Sequence, residues 1–185
     1  LPIQGGGWRL LNVNDGGVGL SASVASNWSA PIDGMTSTQF YGIDKRPGAS
    51  AYFGGMQDNG TWFSPLDPDR LDPWTSAFGG DGYETSWHFD SPQRMIGGYQ
   101  YNGLQRSLDG GQSWNSAADG LLDVGSARAP FITKIAKSQT APDFLCAVGR
   151  DGVWRSFDAG ESWGQASRGL NAASIPSMNS AQLKR

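Results

Sequence analysis

The stretch SLDGGQSW at residues 107–114 returns almost unchanged as SFDAGESW at residues 156–163, with Ser, Asp, Gly, Ser and Trp at the same offsets. Each octet lies between two short segments in which apolar and polar residues alternate, as they do in β-strands. In a turn between strands, an Asp can accept backbone N–H groups, a Gly can take a positive φ, and a Trp can cover the hairpin. The octet is therefore predicted to be a folding device. Its structural residues are Ser107, Asp109, Gly111 and Trp114 in the first copy and Ser156, Asp158, Gly160 and Trp163 in the second.

The octets belong to a longer repeat. With Gly17, Gly60, Gly103 and Gly152 as origins, successive copies are 43, 43 and 49 residues apart, and every origin is followed four residues later by Ser. This period is the size of one β-propeller blade. The repeats occupy residues 8–35, 38–80, 83–121 and 130–170, and a further strand is predicted to start within 175–185.

The composition is typical of an all-β chain, because 27 glycines and 8 tryptophans in 185 residues favour tight turns and short strands. A net charge of −3 without a basic cluster argues against nucleic acid as a partner, and no apolar run is long enough for membrane insertion. Cys146 is the one cysteine and is expected to be a buried structural thiol. With His88 as the single histidine and no phosphate-binding loop, neither a metal site nor a cofactor is predicted, and calcium at the acidic turns, whose Asp and Asn oxygens suit it, is the alternative.

The two octets resemble Asp-boxes, the BNR repeats of sialidases, xyloglucanase-like glycoside hydrolases, sortilin-type receptor domains and photosystem assembly factors. The segments YFGGMQDNGTW (52–62), GGDGYET (79–85) and IGGYQYNGLQRSLDGGQSW (96–114) are most similar to the sortilin-like and xyloglucanase-like branch. The resemblance covers nearly the whole chain and implies one β-propeller region over residues 1–185. It also implies a secreted or periplasmic parent protein, although the chain contains no signal-peptide pattern. Because enzymes, receptors and assembly proteins share the repeat, it indicates the fold rather than an activity.

Each blade is predicted to have four antiparallel strands that run from a central channel outward. The third repeat divides into ETSWHFD, RMIGGYQ, GLQRSL and QSWNSA, and the second and fourth divide in the same way. The first has WRLLNV, VGLSA and NWSAP, with no inner strand before them. We expect about four blades of a larger propeller, completed by further blades or a second copy of the chain, because Asp-box families usually close with six or more blades and open edges pair with other strands. The alternative is closure of four blades by the segment 175–185.

The order of the strands determines on which of the two faces of the propeller each loop lies. The octets join third and outer strands, whereas the turns between second and third strands and the links between blades lie on the opposite face, where Asp-box enzymes bind substrate. The sequence therefore predicts a mouth for a glycan or protein ligand on that face. Asn-Gly and Asp-Gly are also preferred hairpin residues, so turn chemistry is an alternative explanation for some of these residues. The candidate binding residues are Asp58, Asn59, Asp81, Tyr83, Tyr101 and Asn102.

Two functions from different classes fit this mouth. A binding or scaffold module would use its aromatic and polar side chains, whereas a glycoside hydrolase needs two carboxyl groups at a defined separation, for which Asp58, Asp81 and Glu84 are the candidates. Xyloglucanase-like enzymes use two aspartates in a cleft between two propellers, so the resemblance implies at most half of such a cleft here, with Asp58 or Asp81 as its aspartate. Sialidase activity is not expected, because the Arg-Ile-Pro stretch of sialidases is missing. The binding or scaffold role is favoured, since turn formation explains most of the acidic residues.

Overall fold

The computed structural model describes residues 9–15, 17–22, 27–29 and 38–168, and the chain divides into two compact units, Leu1–Gln39 and Phe40–Arg185. In the first unit, strand β1 (Leu10–Asn14) pairs antiparallel with β2 (Gly17–Ser21), and a single bridge joins Leu20 to Ser29. These elements correspond to the predicted segments WRLLNV, VGLSA and NWSAP. The further strand predicted within 175–185 lies outside the described residues.

The second unit contains three four-stranded antiparallel sheets, each with its strands in chain order. They are called blades 2, 3 and 4 after the repeats that form them. Every strand of these sheets overlaps its predicted segment, with ends that differ by one or two residues in several cases, so the all-β fold of four-stranded propeller blades is confirmed. No helix in the described part of the chain is long and apolar enough to cross a membrane. Blade 2 consists of β3 (Phe40–Lys45), β4 (Tyr52–Met56), β5 (Gly60–Phe63) and β6 (Thr75–Phe78); blade 3 of β7 (Thr85–Trp87), β8 (Met95–Tyr99), β9 (Gly103–Ser107) and β10 (Asn115–Ser116); and blade 4 of β11 (Ile135–Lys137), β12 (Leu145–Gly149), β13 (Gly152–Ser156) and β14 (Gly164–Arg168).

The glycines that mark the repeat each begin a strand after a tight hairpin turn. Gly60 pairs with Met56 across a three-residue turn and has a φ of 79°, a left-handed conformation that most side chains avoid. In blade 3 the left-handed residues lie inside the turn, where Tyr101 and Asn102 have φ values of 62° and 57°. Gly103 itself has a φ of −70°, and a Cβ there would overlap an aromatic ring of β8. The glycine of the repeat therefore supplies a positive φ in blade 2, whereas in blade 3 it leaves room for a neighbouring side chain.

The two octets form nearly identical hydrogen-bonded turns. In the first, the hydroxyl of Ser107 donates to Asp109 Oδ1 at 2.7 Å and accepts the N–H of Gly111 at 2.8 Å. The same Oδ1 accepts the N–H of Ser113 at 2.9 Å, so the carboxylate closes the turn from inside. The second octet has the equivalent bonds at the same lengths, from Ser156, Gly160 and Ser162 around Asp158.

The octet tryptophans pack between blades. Trp114 of blade 3 lies on Phe53 of blade 2, with ring centroids 5.4 Å apart and planes at 28°. Trp163 of blade 4 donates its indole N–H to Ala117 O at 2.7 Å, at the outer edge of blade 3. Trp114 also donates its indole N–H to Gly111 O at 3.2 Å, so it contacts its own hairpin, as the motif predicts, in addition to the neighbouring blade. The preceding blade offers a larger apolar surface, because a sheet face must be buried against another layer.

A comparison of the two octets predicts a change in stability. Ala159 has a φ of 57° at the position that Gly110 occupies with 76°, and a side chain in this region is strained. We expect Ala159→Gly to raise the free energy of unfolding by about 0.5–1 kcal/mol and Gly110→Ala to lower it by about 1 kcal/mol. Urea denaturation of the variants checks both values. Changes of the same sign in the two variants would contradict this explanation.

The octet carboxylates also predict acid sensitivity. The Ser113 hydroxyl lowers the pKa of Asp109 from 3.8 to about 2. For Asp158, burial raises the pKa, but bonds from Ser162 and Ser156 outweigh it and hold the value at about 2. A carboxyl group whose pKa is lower in the folded state than in the unfolded state stabilises the fold at pH values above its ordinary pKa. This stabilisation is lost as the pH falls through the folded-state pKa.

We therefore expect Asp109→Asn and Asp158→Asn to lower the unfolding free energy at neutral pH and to reduce its loss between pH 3.8 and about 2. Urea midpoints at several pH values measure this. Asp90→Asn, at an exposed carboxylate outside the octets, serves as the control. If the octet variants lose stability in acid as steeply as the wild type, the carboxylates do not cause the acid sensitivity.

Candidate ligand-binding site

In blades 2 to 4, the turns between second and third strands and the links between blades gather on one face, called the mouth face. It comprises turns 57–59, 100–102 and 150–151 and links 79–84 and 117–134. The N–H of Asp81 donates to Gln100 Oε1 at 2.8 Å, which ties the first link to the turn of blade 3. The octets lie on the opposite face, called the octet face, where Gly110 N–H donates to Gln93 O at 2.9 Å in the turn between the first two strands of blade 3.

Two predicted catalytic candidates meet on the mouth face. The N–H of Asp58 donates to Asp81 Oδ1 at 3.0 Å, so the β4–β5 turn and the link from blade 2 to blade 3 form one acidic surface. Asp58 is exposed and has a φ of 62°, a conformation that Asp tolerates better than most residues. Asn59 belongs to the same turn, where its Nδ2 donates to Gln57 O at 3.2 Å.

Four aromatic rings form a continuous row on this face, called the aromatic shelf: Tyr41, Tyr83, Phe131 and Tyr101. Tyr83 meets Tyr41 at 5.2 Å and Phe131 at 5.8 Å between centroids, and Phe131 meets Tyr101 at 5.3 Å. All three contacts are edge-to-face, with interplanar angles of 72° to 83°. Tyr83 is fully buried, whereas Tyr41 and Phe131 are 37% and 41% exposed. The shelf therefore has a buried centre and open flanks.

The Tyr83 hydroxyl is the polar atom at the centre of the shelf. It is buried and has no hydrogen-bond partner within the described residues, an arrangement that is rare for a polar group in a folded protein. Burial, followed by the charge of Asp81 and then by Tyr41 and Asp58, raises the pKa of this hydroxyl above its ordinary value. Tyr83 and Asp81 belong to the same link between blades, so the shelf adjoins the acidic surface.

Asn102 contributes to the fold beneath this site. It is fully buried, and its Nδ2 donates to Asp123 O at 2.9 Å and to Val148 O at 2.8 Å. Its own N–H donates to Thr133 Oγ1 at 2.8 Å. The residue thus ties blade 3 to the next link and to blade 4, which leaves Tyr101, its neighbour in the turn, as the side chain that reaches the shelf.

Glu84, the third catalytic candidate, faces the central channel. Its Oε1 lies 3.0 Å from Lys134 Nζ, and both side chains are more than four-fifths buried. A second ion pair, between Asp44 and Lys137, crosses the channel from β3 to β11. These inner strands wall a polar cavity of about 170 Å³. Because Glu84 is held by a lysine of the next blade, its contacts are those of a cross-blade tie rather than of a partner to Asp58 and Asp81.

Sequence reasoning missed several residues of this region. Phe131 supplies one flank of the shelf, and the fully buried Asp123 accepts the N–H of Asp151 and the indole N–H of Trp154, each at 2.8 Å. Lys134 had not been identified either. All three lie in the long segment 117–134 between blades 3 and 4, which has no octet or Asn-Gly signature. Only the strand order could have indicated these residues, because every link between blades leads from an outer strand back to an inner strand at the channel.

The octet face carries a separate polar cluster. His88 Nε2 lies 3.2 Å from Asp143 Oδ1, and its Nδ1 accepts the N–H of Ser91 at 3.0 Å, as expected for a histidine whose neighbours satisfy it. Arg94 also binds Asp143, at 2.6 Å.

Cys146 is free, and burial raises the pKa of its thiol. Across the described ranges, no group of three or more His, Cys, Asp or Glu residues is placed to hold a metal ion.

No protein-family model and no curated protein matches the chain. Solved structures do match. An ancestral GH74 enzyme aligns with 16% identity and a TM-score of 0.57, over 89% of this chain and 23% of its own. A GH74 enzyme from Niastella koreensis aligns with 14% identity and a TM-score of 0.53, over 87% of this chain and 28% of its own. YCF48 from Cyanidioschyzon merolae aligns with 16% identity and a TM-score of 0.40, over 88% of this chain and 56% of its own.

The chain spans about a quarter of the length of the two GH74 enzymes. At these low identities the likeness concerns the fold. The chain has the fold of a β-propeller segment, similar to part of those glycoside hydrolases.

Proposed function

We propose that the two octets are Asp-boxes and that the chain is a segment of an Asp-box β-propeller, completed by further blades or by a second copy. The bonds around Asp109 and Asp158 support the first statement, because the Ser, Asp, Gly and Ser of the motif all take part in one turn. The second is supported by the likeness to GH74 propellers, of whose chains the alignments cover 23% and 28%, and by the tendency of open sheet edges to pair with other strands. In line with the resemblance to sortilin-like and xyloglucanase-like proteins, the parent protein is secreted or periplasmic.

We further propose that the segment is a binding or scaffold module, of which the ligand, a glycan or a protein, lies on the mouth face. The observation that carries this proposal is the aromatic shelf beside the acidic surface of Asp58 and Asp81. Exposed aromatic rings offer apolar faces, and carboxylates accept hydrogen bonds from hydroxyl groups. A sugar ring needs both, since one of its faces presents C–H groups and its rim presents hydroxyls.

The geometry favours a glycan within that pair of ligand classes. The rings of Tyr41 and Phe131 stand on either side of Tyr83 and are partly exposed, so the ligand would contact separate small platforms rather than one broad apolar patch. Protein partners usually bury an extended surface with an apolar centre. Successive sugar units match a row of separate platforms better.

The second candidate function is glycoside hydrolysis of the xyloglucanase-like type, with Asp58 and Asp81 as the carboxyl residues. The observation that favours it is the contact between the two residues, in which a backbone N–H orients the Asp81 carboxylate at 3.0 Å. A glycosidase needs one carboxyl group as general acid and another as base or nucleophile. The cleft of such an enzyme lies between two propellers, so a second propeller would supply its other wall.

Glycan binding predicts a loss on removal of the exposed rings. We expect Phe131→Ala and Tyr41→Ala each to weaken binding of the best ligand from a soluble oligosaccharide panel by about tenfold, as the loss of one aromatic contact of about 1–2 kcal/mol requires. Isothermal titration calorimetry measures the change. The matched control is Phe157→Ala, at a ring that is 65% exposed on the octet face. Equal losses in all three variants would locate the ligand elsewhere.

Hydrolysis predicts a different result. If the chain releases reducing sugar from xyloglucan oligosaccharides, we expect Asp58→Asn and Asp81→Asn each to lower the rate by about 10²- to 10⁴-fold with binding retained, because each substitution removes an ionisable group and keeps the shape. Reducing-end assays on both variants and on Asp90→Asn test this. Binding without hydrolysis by the wild-type chain would support the module and eliminate this candidate.

A further inference from the structure

The polar cavity between the inner strands of blades 2, 3 and 4 is large enough for a ligand. Its volume is about 170 Å³, and its walls come from β3, β7 and β11. This is the volume of about six water molecules in the liquid. A single sugar ring displaces a similar number of waters and presents hydroxyl groups in their place. The size of the cavity therefore suits one ring and excludes a chain of several.

The charges in the cavity walls balance. Asp44 binds Lys137, and Glu84 Oε1 lies 3.0 Å from Lys134 Nζ. All four side chains are more than four-fifths buried, and three of them line the cavity itself. An ion that entered would lose its hydration without meeting an unpaired counter-charge. The two ion pairs therefore favour an uncharged ligand.

The same ion pairs leave hydrogen-bonding capacity for a ligand. Asp44 Oδ2 accepts both the Lys137 ammonium and the N–H of Trp87, the latter at 2.6 Å. Within the described part of the chain, no hydrogen bond uses the second oxygens, Asp44 Oδ1 and Glu84 Oε2. Neither oxygen is among the buried atoms that lack a partner, so both keep accessible surface. Two acceptors are therefore available without breaking an ion pair.

Hydroxyl and apolar groups complete the lining. Thr85 and Ser86 bring hydroxyl groups, and Ile135 brings an apolar side chain. Tyr41 lines the cavity and is also a flank of the aromatic shelf, so the cavity adjoins the shelf. Acceptors, hydroxyl groups and a limited apolar wall are the groups that the hydroxyls and C–H faces of a sugar contact.

Resting on the glycan-binding function proposed above, we propose that this cavity holds one uncharged sugar unit of the glycan, an end or branch unit that leaves the shelf at Tyr41. A sugar hydroxyl donates and accepts at once, so it can bond to Asp44 Oδ1 or Glu84 Oε2 while both lysines stay paired. A zwitterion, such as a free amino acid, would instead compete with Lys134 and Lys137 for the carboxylates.

The first test compares neutral and charged monosaccharides. The probes are xylose and glucose, which are neutral, and glucuronate and glucosamine, which carry one charge each. NMR titration of the isotope-labelled 185-residue chain is expected to show the neutral sugars binding at least about tenfold more tightly than either charged one. The largest amide shifts are expected at residues 84–87 and 135–137. Shifts confined to turns 57–59 and 100–102 would overturn the inference.

A cavity-filling substitution gives a second test. Ile43 lines the cavity and is more than half exposed, so Ile43→Trp fills the space without overpacking the core. We expect this variant to lose monosaccharide binding and to bind the best oligosaccharide of the panel more weakly than the wild type. The matched control is Leu71→Trp, at an exposed leucine in the loop between β5 and β6, and it should bind as the wild type does.

A change of charge gives a readout that a purely structural role would not produce. Glu84→Gln leaves the cavity with one excess positive charge, so we expect the variant to bind glucuronate more tightly than glucose. The control is Glu161→Gln, which breaks the ion pair with Arg106 outside the cavity and should keep the wild-type preference. Thermal unfolding confirms that each variant is folded. If Glu84→Gln does not fold, Ile43→Trp decides.

The outcomes separate this inference from the proposed function. If Ile43→Trp keeps the wild-type affinities, or if charged and neutral sugars bind equally to the wild type, the cavity inference is wrong and glycan binding on the shelf stands. If monosaccharides bind in the cavity while Phe131→Ala leaves oligosaccharide binding unchanged, the cavity is a sugar site and the shelf is not. If neither a monosaccharide nor a glycan of the panel binds, both proposals fail.

Discussion

The packing of one blade against the next is the contact on which the rest of the described structure depends. A four-stranded antiparallel sheet has two faces. Where two of blades 2 to 4 are neighbours, each sheet covers one face of the other. Trp114 lies on Phe53 between blades 2 and 3, and Trp163 belongs to the apolar cluster between blades 3 and 4. The octet turn sets the position of each indole. One short motif therefore closes a hairpin and joins two blades.

Polar ties reinforce this packing towards the channel. Glu84 binds Lys134 and Asp44 binds Lys137, so each ion pair joins one blade to another at the inner strands. Buried ion pairs contribute little net stability, but the loss of one partner leaves an uncompensated charge. Such pairs therefore specify which blades meet and in what register. Asp44, Glu84 and Lys137 also line the polar cavity between the inner strands.

The packing of the blades determines which side chains meet on the mouth face. Links that return to the channel bring Tyr83 and Phe131 together, and the β4–β5 turn brings Asp58 to Asp81. A binding module and a glycoside hydrolase would use the same surface, because both need a sugar ring beside a carboxylate. They differ in whether two carboxyl groups reach one bond, which depends on the second wall of the cleft.

The sequence by itself determined the blades, because strand alternation, hairpin glycines and octet turns are local properties that repeat at a fixed spacing. It also placed Asp58, Asn59, Asp81, Tyr83 and Tyr101 on one face, since the order of strands assigns each loop to a face. Only the tertiary structure decided which side chains contact one another on and beneath that face. Asn102 became a buried tie, Glu84 found Lys134, and Phe131 entered the site from a segment with no motif. Such contacts join residues from different blades, and no local pattern encodes the distance between them.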